Sequence, residues 1–82
     1  MGQKVYKLEY YNYYENSDKF YKVIKVENAN GSFDVVCEYG RTGSYPTKHV
    51  KAQNLTDRSA GKVIHDLIVK KEAKGYQLVS SD

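Results

Sequence analysis

The stretch FYKVIKVENANGSFDVVCEY, residues 20–39, contains the strongest fold signal in the chain. Polar and apolar residues alternate on both sides of a central turn, and such alternation is typical of β-strands. The turn, Asn28–Ser32, includes Asn-Gly, a pair that readily adopts the positive φ angles of a tight hairpin connection. We therefore predict two antiparallel strands, Phe20–Val26 and Phe33–Tyr39. Alternation alone leaves open which face of the first strand contacts the core.

Further strands are predicted on both sides of this hairpin. Val5–Tyr11 alternates in the same way and is rich in aromatic and β-branched residues, which suit a pleated surface. The polar interval Glu15–Asp18 should form the turn after it. Beyond the hairpin, Gly40–Gly43 is predicted to break the third strand and to open an exposed loop that reaches Pro46. A fourth strand should follow from Thr47 to Gln53.

One helix is predicted after the fourth strand, capped at its start by Thr56 or Asp57. Its apolar residues recur at the i, i+3, i+4 spacing of a helix that packs one face on a core: Ala60, Val63, Ile64, Leu67 and Ile68. Gly75 fits the position just past the helix end. Lysines near that end favour it electrostatically: Lys70, Lys71 and Lys74. A short edge strand, Tyr76–Val79, should complete the chain.

These elements define the fold class. Connections of hairpin length demand antiparallel pairing, so we predict an α+β fold in which an antiparallel β-sheet of about five strands carries one α-helix on one face. A chain of 82 residues has room for one compact core. We therefore expect a single domain over residues 1–82, with its core within about residues 5–79.

Composition excludes several classes of protein. With 40% hydrophobic and 28% charged residues, the chain lies in the globular range. It has no apolar run long enough to cross a bilayer, and its first residues lack the apolar stretch of a signal peptide. We therefore expect an intracellular protein, cytoplasmic or nuclear, without membrane contact. The lone Cys37 lies in an alternating strand, where it should pack in the core.

No pattern typical of catalysis is present in the sequence. It contains no phosphate-cradling glycine-rich loop and no nucleophile elbow. His49 and His65 stand apart, with no cysteine or carboxylate at the spacing of a metal site. We therefore expect a protein that is not an enzyme and that uses no cofactor, no metal and no small-molecule substrate.

Positive charge is concentrated in the second half of the chain. Residues 1–38 carry five lysines and six acidic residues, whereas residues 39–75 carry eight lysines or arginines and three acidic residues. Binding to a polyanion needs such a surface, because Lys and Arg displace counterions from phosphates. The solvated face of a helix would show the same charges, so the distribution is consistent with either interpretation.

Three short motifs occur in order along the chain: NSDKFY at residues 16–21, YGRTG at residues 39–43 and KGY at residues 74–76. Together they resemble the WGR domain family, over a span from about Leu8 to Val79. WGR domains are found in poly(ADP-ribose) polymerases that sense DNA breaks and in bacterial proteins, including molybdate-regulator-like ones. The resemblance implies an antiparallel sheet with a packed helix, in agreement with the fold predicted from the residue pattern.

The resemblance also implies a role for the Tyr-Gly-Arg motif. In the polymerases the corresponding Trp-Gly-Arg lies against the terminal nucleotide of a DNA break, where the aromatic ring packs and the arginine contacts phosphate or neighbouring domains. Those roles would fall here to Tyr39 and Arg41, with Gly40 allowing a close approach of the backbone. Tyr39 is a smaller ring than Trp, so its stacking should be weaker.

Four further positions are implied by the same resemblance. Asn16 and Lys19 match positions that approach the DNA strand, and Tyr76 matches a tyrosine near a 5′ phosphate. Lys74 belongs to the basic helix end beside it. Asp18 stands where DNA-binding members can carry Asn, and a carboxylate at that position is expected to repel phosphate.

Two functions remain open from the sequence. The first is a non-catalytic nucleic-acid-binding module for DNA ends or phosphorylated strands, with little sequence readout. The second is a protein–protein interaction domain that uses the same loop and its exposed tyrosines. Arg41 could also simply bind Glu38. The nine tyrosines of the chain, several of them in residues 10–14, could cover the sheet faces with their hydroxyls in water.

Overall fold

The computed structural model describes residues 2–81, so Met1 and Asp82 of the expected domain lie outside the described residues. The described part contains five strands and one helix: β1 (Gln3–Asn12), β2 (Ser17–Glu27), β3 (Phe33–Arg41), β4 (Thr47–Leu55), α1 (Asp57–Ala73) and β5 (Gln77–Ser81). The strands form one antiparallel sheet in the order β4-β3-β2-β1-β5. The predicted α+β class is confirmed, and so is the five-stranded antiparallel sheet with a single helix.

The hairpin predicted between β2 and β3 is present. The backbone N–H of Asn28 donates to the carbonyl of Ser32 at 2.8 Å, and the N–H of Gly31 donates to the carbonyl of Asn28 at 3.0 Å. Of the Asn-Gly pair only Gly31 has a positive φ, at 85°. The Asn28 side chain also donates to the Asp34 carboxylate at 2.9 Å, and this bond is the main reason that the pKa of Asp34 lies below its ordinary value.

The third strand is longer than the sequence predicts. Instead of breaking at Gly40–Gly43, β3 continues through Arg41, because β2 begins at Ser17, inside the predicted turn, and offers a paired neighbour over the added length. Arg41 pairs with Lys19 in this register. The backbone of Arg41 is therefore fixed by the sheet and is not part of a loop.

The two faces of the sheet differ, because α1 covers only one of them. The helix side, which packs on α1, includes Leu8, Tyr21, Val23, Val35 and Cys37, all of them buried. The burial of Tyr21 and Val23 shows which face of β2 contacts the core, a point that the sequence leaves open. Cys37 has no exposed surface, which confirms its predicted place in the core. The opposite side, called here the helix-free face, carries the other residues of each strand's alternation.

The helix begins and packs as predicted. Thr56 is its N-cap, and the Thr56 hydroxyl accepts from the backbone N–H of Ser59 at 3.1 Å. Three residues of the apolar stripe are buried in the core: Ala60, Ile64 and Leu67. Over residues 2–81, no helix combines the length and the apolar character needed to span a membrane.

The helix ends at a glycine that contacts the sheet. Gly75 follows the C-cap Lys74 with a φ of 103°, and its N–H donates to the Glu72 carbonyl at 3.0 Å. A Cβ atom at Gly75 would lie 3.0 Å from Cε2 of Tyr10. The left-handed conformation and this close approach both favour glycine.

Gly75→Ala is expected to lower the free energy of unfolding by about 1–2 kcal/mol, because alanine is strained at this φ and displaces the Tyr10 ring. Urea denaturation measures the change. Gly61→Ala is the matched control, since Gly61 lies inside α1 with open space around it. That control should stabilise the protein by about 0.5–1 kcal/mol. Equal shifts in the two variants would contradict the strain at Gly75.

Candidate functional site

Four tyrosine rings meet at one end of the helix side, and we call them the tyrosine cluster: Tyr10, Tyr21, Tyr39 and Tyr76. The rings of Tyr21 and Tyr39 stack with centroids 5.6 Å apart and an angle of 15° between their planes. The Tyr76 ring lies 5.3 Å from that of Tyr10 and 6.3 Å from that of Tyr21. Burial raises the pKa of the Tyr21 hydroxyl, so this buried member of the cluster is neutral at ordinary pH.

Lysine side chains lie over these rings. The Lys19 ammonium is 5.2 Å from the centre of the Tyr10 ring, and that of Lys71 is 4.3 Å from Tyr21 and 5.4 Å from Tyr76. The pKa of Lys71 lies below its ordinary value, chiefly because the group is partly desolvated, while the charges of Lys74 and Lys19 act in the same direction. A bound anion would relieve this repulsion.

Arg41 lies at the end of β3 beside the same cluster. Its side chain is exposed, and Nη2 donates to the backbone carbonyl of Asn16 at 3.3 Å. Asn16 occupies the turn between β1 and β2 with a φ of 51°. Glu38 cannot be the partner suggested by the sequence, because strand alternation puts it on the helix-free face, where it pairs with Lys22 and Lys48 in register. The guanidinium thus keeps further donors for a ligand.

The structure brings most of the implied contact residues together. Arg41 and Lys19 are direct cross-strand neighbours, and Tyr39 lies on the same face as both. Tyr76 joins them through the tyrosine cluster, and Lys74 lies near enough to affect the pKa of Lys71.

Gly40 is placed differently from the rest of the implied set. A Cβ atom at Gly40 would lie 3.7 Å from the Tyr45 carbonyl oxygen and 4.0 Å from the Phe20 ring. A side chain at this position would therefore point toward the β3–β4 loop on the helix-free face. These are ordinary contact distances, so the loop does not by itself require glycine at position 40.

Asp18 also lies on the helix-free face, opposite Lys19 and Arg41. The Thr42 hydroxyl donates to the Asp18 carboxylate at 2.8 Å, and the Thr42 N–H donates to the Asp18 carbonyl at 3.0 Å. These bonds join the start of β2 to the β3–β4 loop. The Asp18 carboxylate is thus hydrogen-bonded, and strand alternation places it on the face opposite the side chains of Lys19 and Arg41.

Charge separates between the two faces of the sheet. The helix-free face carries three lysines and four acidic residues: Lys7, Lys22, Lys48, Glu9, Asp18, Asp34 and Glu38. The helix side and α1 carry a larger group of basic residues: Lys4, Lys19, Lys25, Arg41, Arg58, Lys62, Lys70 and Lys71. They are accompanied by four acidic residues on β2 and α1: Glu27, Asp57, Asp66 and Glu72. The helix side is thus the basic side of the molecule, and both halves of the sequence contribute its positive charges.

Two members of this site, Tyr10 and Tyr21, were missed by sequence reasoning, and Lys71 was predicted only as part of the basic helix end. Tyr10 and Tyr21 alternate with Leu8 and Val23 on the helix side, but only the strand register shows that their rings meet. Lys71 has a detectable signal, because it stands four residues after Leu67 and continues the apolar stripe of α1. A lysine at such a position packs its stem on the sheet and directs its ammonium to the edge of the core.

Comparison with known families agrees with this architecture. The model of the WGR domain family matches residues 5–82, which include α1, β2, β3 and β4 in full. No curated protein and no solved structure matches the chain. Among residues 2–81, no three His, Cys, Asp or Glu side chains are grouped so that they could hold a metal ion. The family match extends over nearly the whole length, and the chain therefore belongs to the WGR domain family.

Proposed function

We propose that this WGR domain is a non-catalytic module that binds nucleic acid, through phosphates and the terminal nucleotide of DNA ends or phosphorylated strands. One observation carries the proposal: the exposed Arg41 and Lys19 are cross-strand neighbours beside the partly exposed ring of Tyr39. Cations and an aromatic ring side by side suit the phosphate and the nucleoside of a strand end.

The basic pair suits a phosphate. Opposite residues in a sheet have Cβ atoms roughly 5 Å apart, so the charges of Arg41 and Lys19 repel each other until an anion lies between them. The planar guanidinium can grip two phosphate oxygens at once. Lys71 and Lys74 add charge from the end of α1. Such contacts position a strand without reading its sequence.

The aromatic ring suits a terminal nucleotide. Tyr39 keeps 37% of its surface exposed while its ring stacks on buried Tyr21. The exposed part of a ring held in this way can pack against a nucleoside at the end of a strand. An internal nucleotide of a duplex, stacked on both sides, offers no such surface.

A protein–protein interaction domain is the second candidate. Tyrosines outside the tyrosine cluster are exposed: Tyr11, Tyr13, Tyr14 and Tyr45. Tyrosine and arginine are both favoured anchors of protein interfaces. In this case the surface around Arg41 would dock a partner domain, and short DNA would not bind.

A titration of the protein with a short, fluorescently labelled, 5′-phosphorylated duplex tests the proposal. With four cations engaged, the logarithm of the association constant should fall against the logarithm of salt concentration with a slope of roughly −3.6, and the duplex without the phosphate should bind more weakly. Binding that ignored salt would reject the phosphate mechanism. A failure to bind at low salt would leave the interaction domain as the better description.

A further inference from the structure

Three tyrosines project from the end of the sheet beside Arg41, and we call them the outer tyrosines: Tyr13, Tyr14 and Tyr45. Their exposed fractions are 77%, 97% and 99%. Rings this exposed contribute almost nothing to the core, because they keep nearly all their contact with water. Tyr13 and Tyr14 occupy the β1–β2 turn, and Tyr45 occupies the β3–β4 loop.

The turn that carries Tyr13 and Tyr14 is held by one side chain. The Asn12 carbonyl oxygen Oδ1 accepts from the N–H groups of Tyr14 at 3.0 Å and of Glu15 at 3.2 Å. The amide nitrogen of Asn12 donates to the hydroxyl of Tyr10 at 3.1 Å. The turn is thus connected by hydrogen bonds to the tyrosine cluster.

Both segments are also joined to the basic pair. Arg41 donates to the carbonyl of Asn16, whose own N–H donates to the carbonyl of Tyr13 at 3.3 Å. On the other side, the backbone N–H of Ser44 in the β3–β4 loop donates to the carbonyl of Arg41 at 3.0 Å. The two segments that carry the outer tyrosines are therefore both hydrogen-bonded to Arg41.

We infer that the outer tyrosines form a second subsite, which stacks unpaired nucleotides continuing beyond the duplex end. This inference rests on the proposed function, because it takes the strand end to lie at Arg41 and Tyr39. Stacked nucleotides advance a strand by roughly 3.4 Å each, so a few of them cover the distance across one tight turn. A strand that leaves the basic pair at this end of the sheet then meets exposed rings.

The geometry favours stacking that does not distinguish one base from another. The rings of Tyr13 and Tyr14 are edge to face, with centroids 6.0 Å apart and an angle of 87° between their planes, so each ring keeps at least one face that the other does not cover. Every base has a π-face that can use such a ring. The nearby cations would neutralise the phosphates of the strand, whereas an uncharged protein partner has no negative charge to neutralise.

The test compares three 5′-phosphorylated duplexes: blunt, with a short oligothymidine 5′ overhang, and with the same overhang at the 3′ end. We expect one overhang to be bound about tenfold more tightly than the blunt end, because stacking on exposed rings adds affinity. Replacing the three outer tyrosines with alanine should remove this gain and leave the affinity for the blunt duplex unchanged. Replacing them with phenylalanine should keep the gain.

Tyr11→Ala is the matched control, since Tyr11 is an exposed tyrosine on the helix-free face; it should change neither affinity. If the blunt duplex binds and neither overhang binds better, the subsite is overturned while the proposed function stands. A gain that survives the alanine substitutions, or that is lost equally with phenylalanine, also overturns it. If no duplex binds at low salt, both proposals fall.

Discussion

Replacing Arg41 and Lys19 together with alanine is expected to weaken binding to a 5′-phosphorylated duplex roughly a hundredfold at low salt. The two side chains are cross-strand neighbours on the helix side, and each is expected to make a charge-assisted contact with phosphate. Losing both contacts corresponds to about 3 kcal/mol. The slope of the logarithm of the association constant against the logarithm of salt concentration should become less negative by about two. Fluorescence anisotropy at several salt concentrations measures both effects.

The control removes the same charge from the other side of the molecule. Lys22 and Lys48 lie on the helix-free face, on either side of Glu38 in the register. The variant in which both are alanine should lose little affinity, because its lysines lie away from the proposed strand. Equal losses in the two double variants would mean that net charge, and not a site around Arg41, governs binding.

Leu8→Ala is expected to lower the free energy of unfolding by about 3 kcal/mol. Leu8 has no exposed surface, and it lies in β1 between Tyr21 of β2 and Leu78 of β5. Truncation removes buried methyl groups and leaves a cavity beneath α1. A chain of this size is stable by only about 5–10 kcal/mol, so the variant should unfold at a clearly lower urea concentration.

Leu78→Ala makes the same chemical change one strand away. Leu78 pairs with Leu8 in the register but is exposed on the edge strand β5. Its truncation should cost less than about 1 kcal/mol, since little buried surface is lost. Comparable destabilisation by the two substitutions would contradict the position of the core under β1.

Local patterns were sufficient to predict most of the fold, and the core face of β2 shows where they were insufficient. That strand alternates between two mixed sets, because one face carries Val23 with Lys25 and the other carries Ile24 with Lys22. In the structure Lys25 lies on the helix side, where it forms an ion pair with Asp57 in the first turn of α1. A lysine at the edge of the core is acceptable when a carboxylate is near, and that partner is contributed by a distant part of the sequence.

The candidate site, like the fold, could be predicted from the sequence only in part. The family motifs pointed to Arg41, Lys19 and Tyr39, and the register places these residues together. Tyr10 and Tyr21 could not be added from the sequence, because a one-residue shift in pairing would send their rings to the other face. The length of β3 was underestimated for a related reason. Glycine is typical of a strand end, and only the register shows that Gly40 pairs with Phe20 within the sheet.

The extension of β3 through Arg41 has an entropic consequence. A guanidinium on a freely moving loop would lose backbone and rotamer freedom when it bound a ligand, at a cost of about 1–2 kcal/mol for each ordered residue. Here that freedom is already reduced in the unbound molecule, by the sheet and by the bond to Asn16. The surface is therefore preorganised, and more of the enthalpy of each contact is retained as affinity.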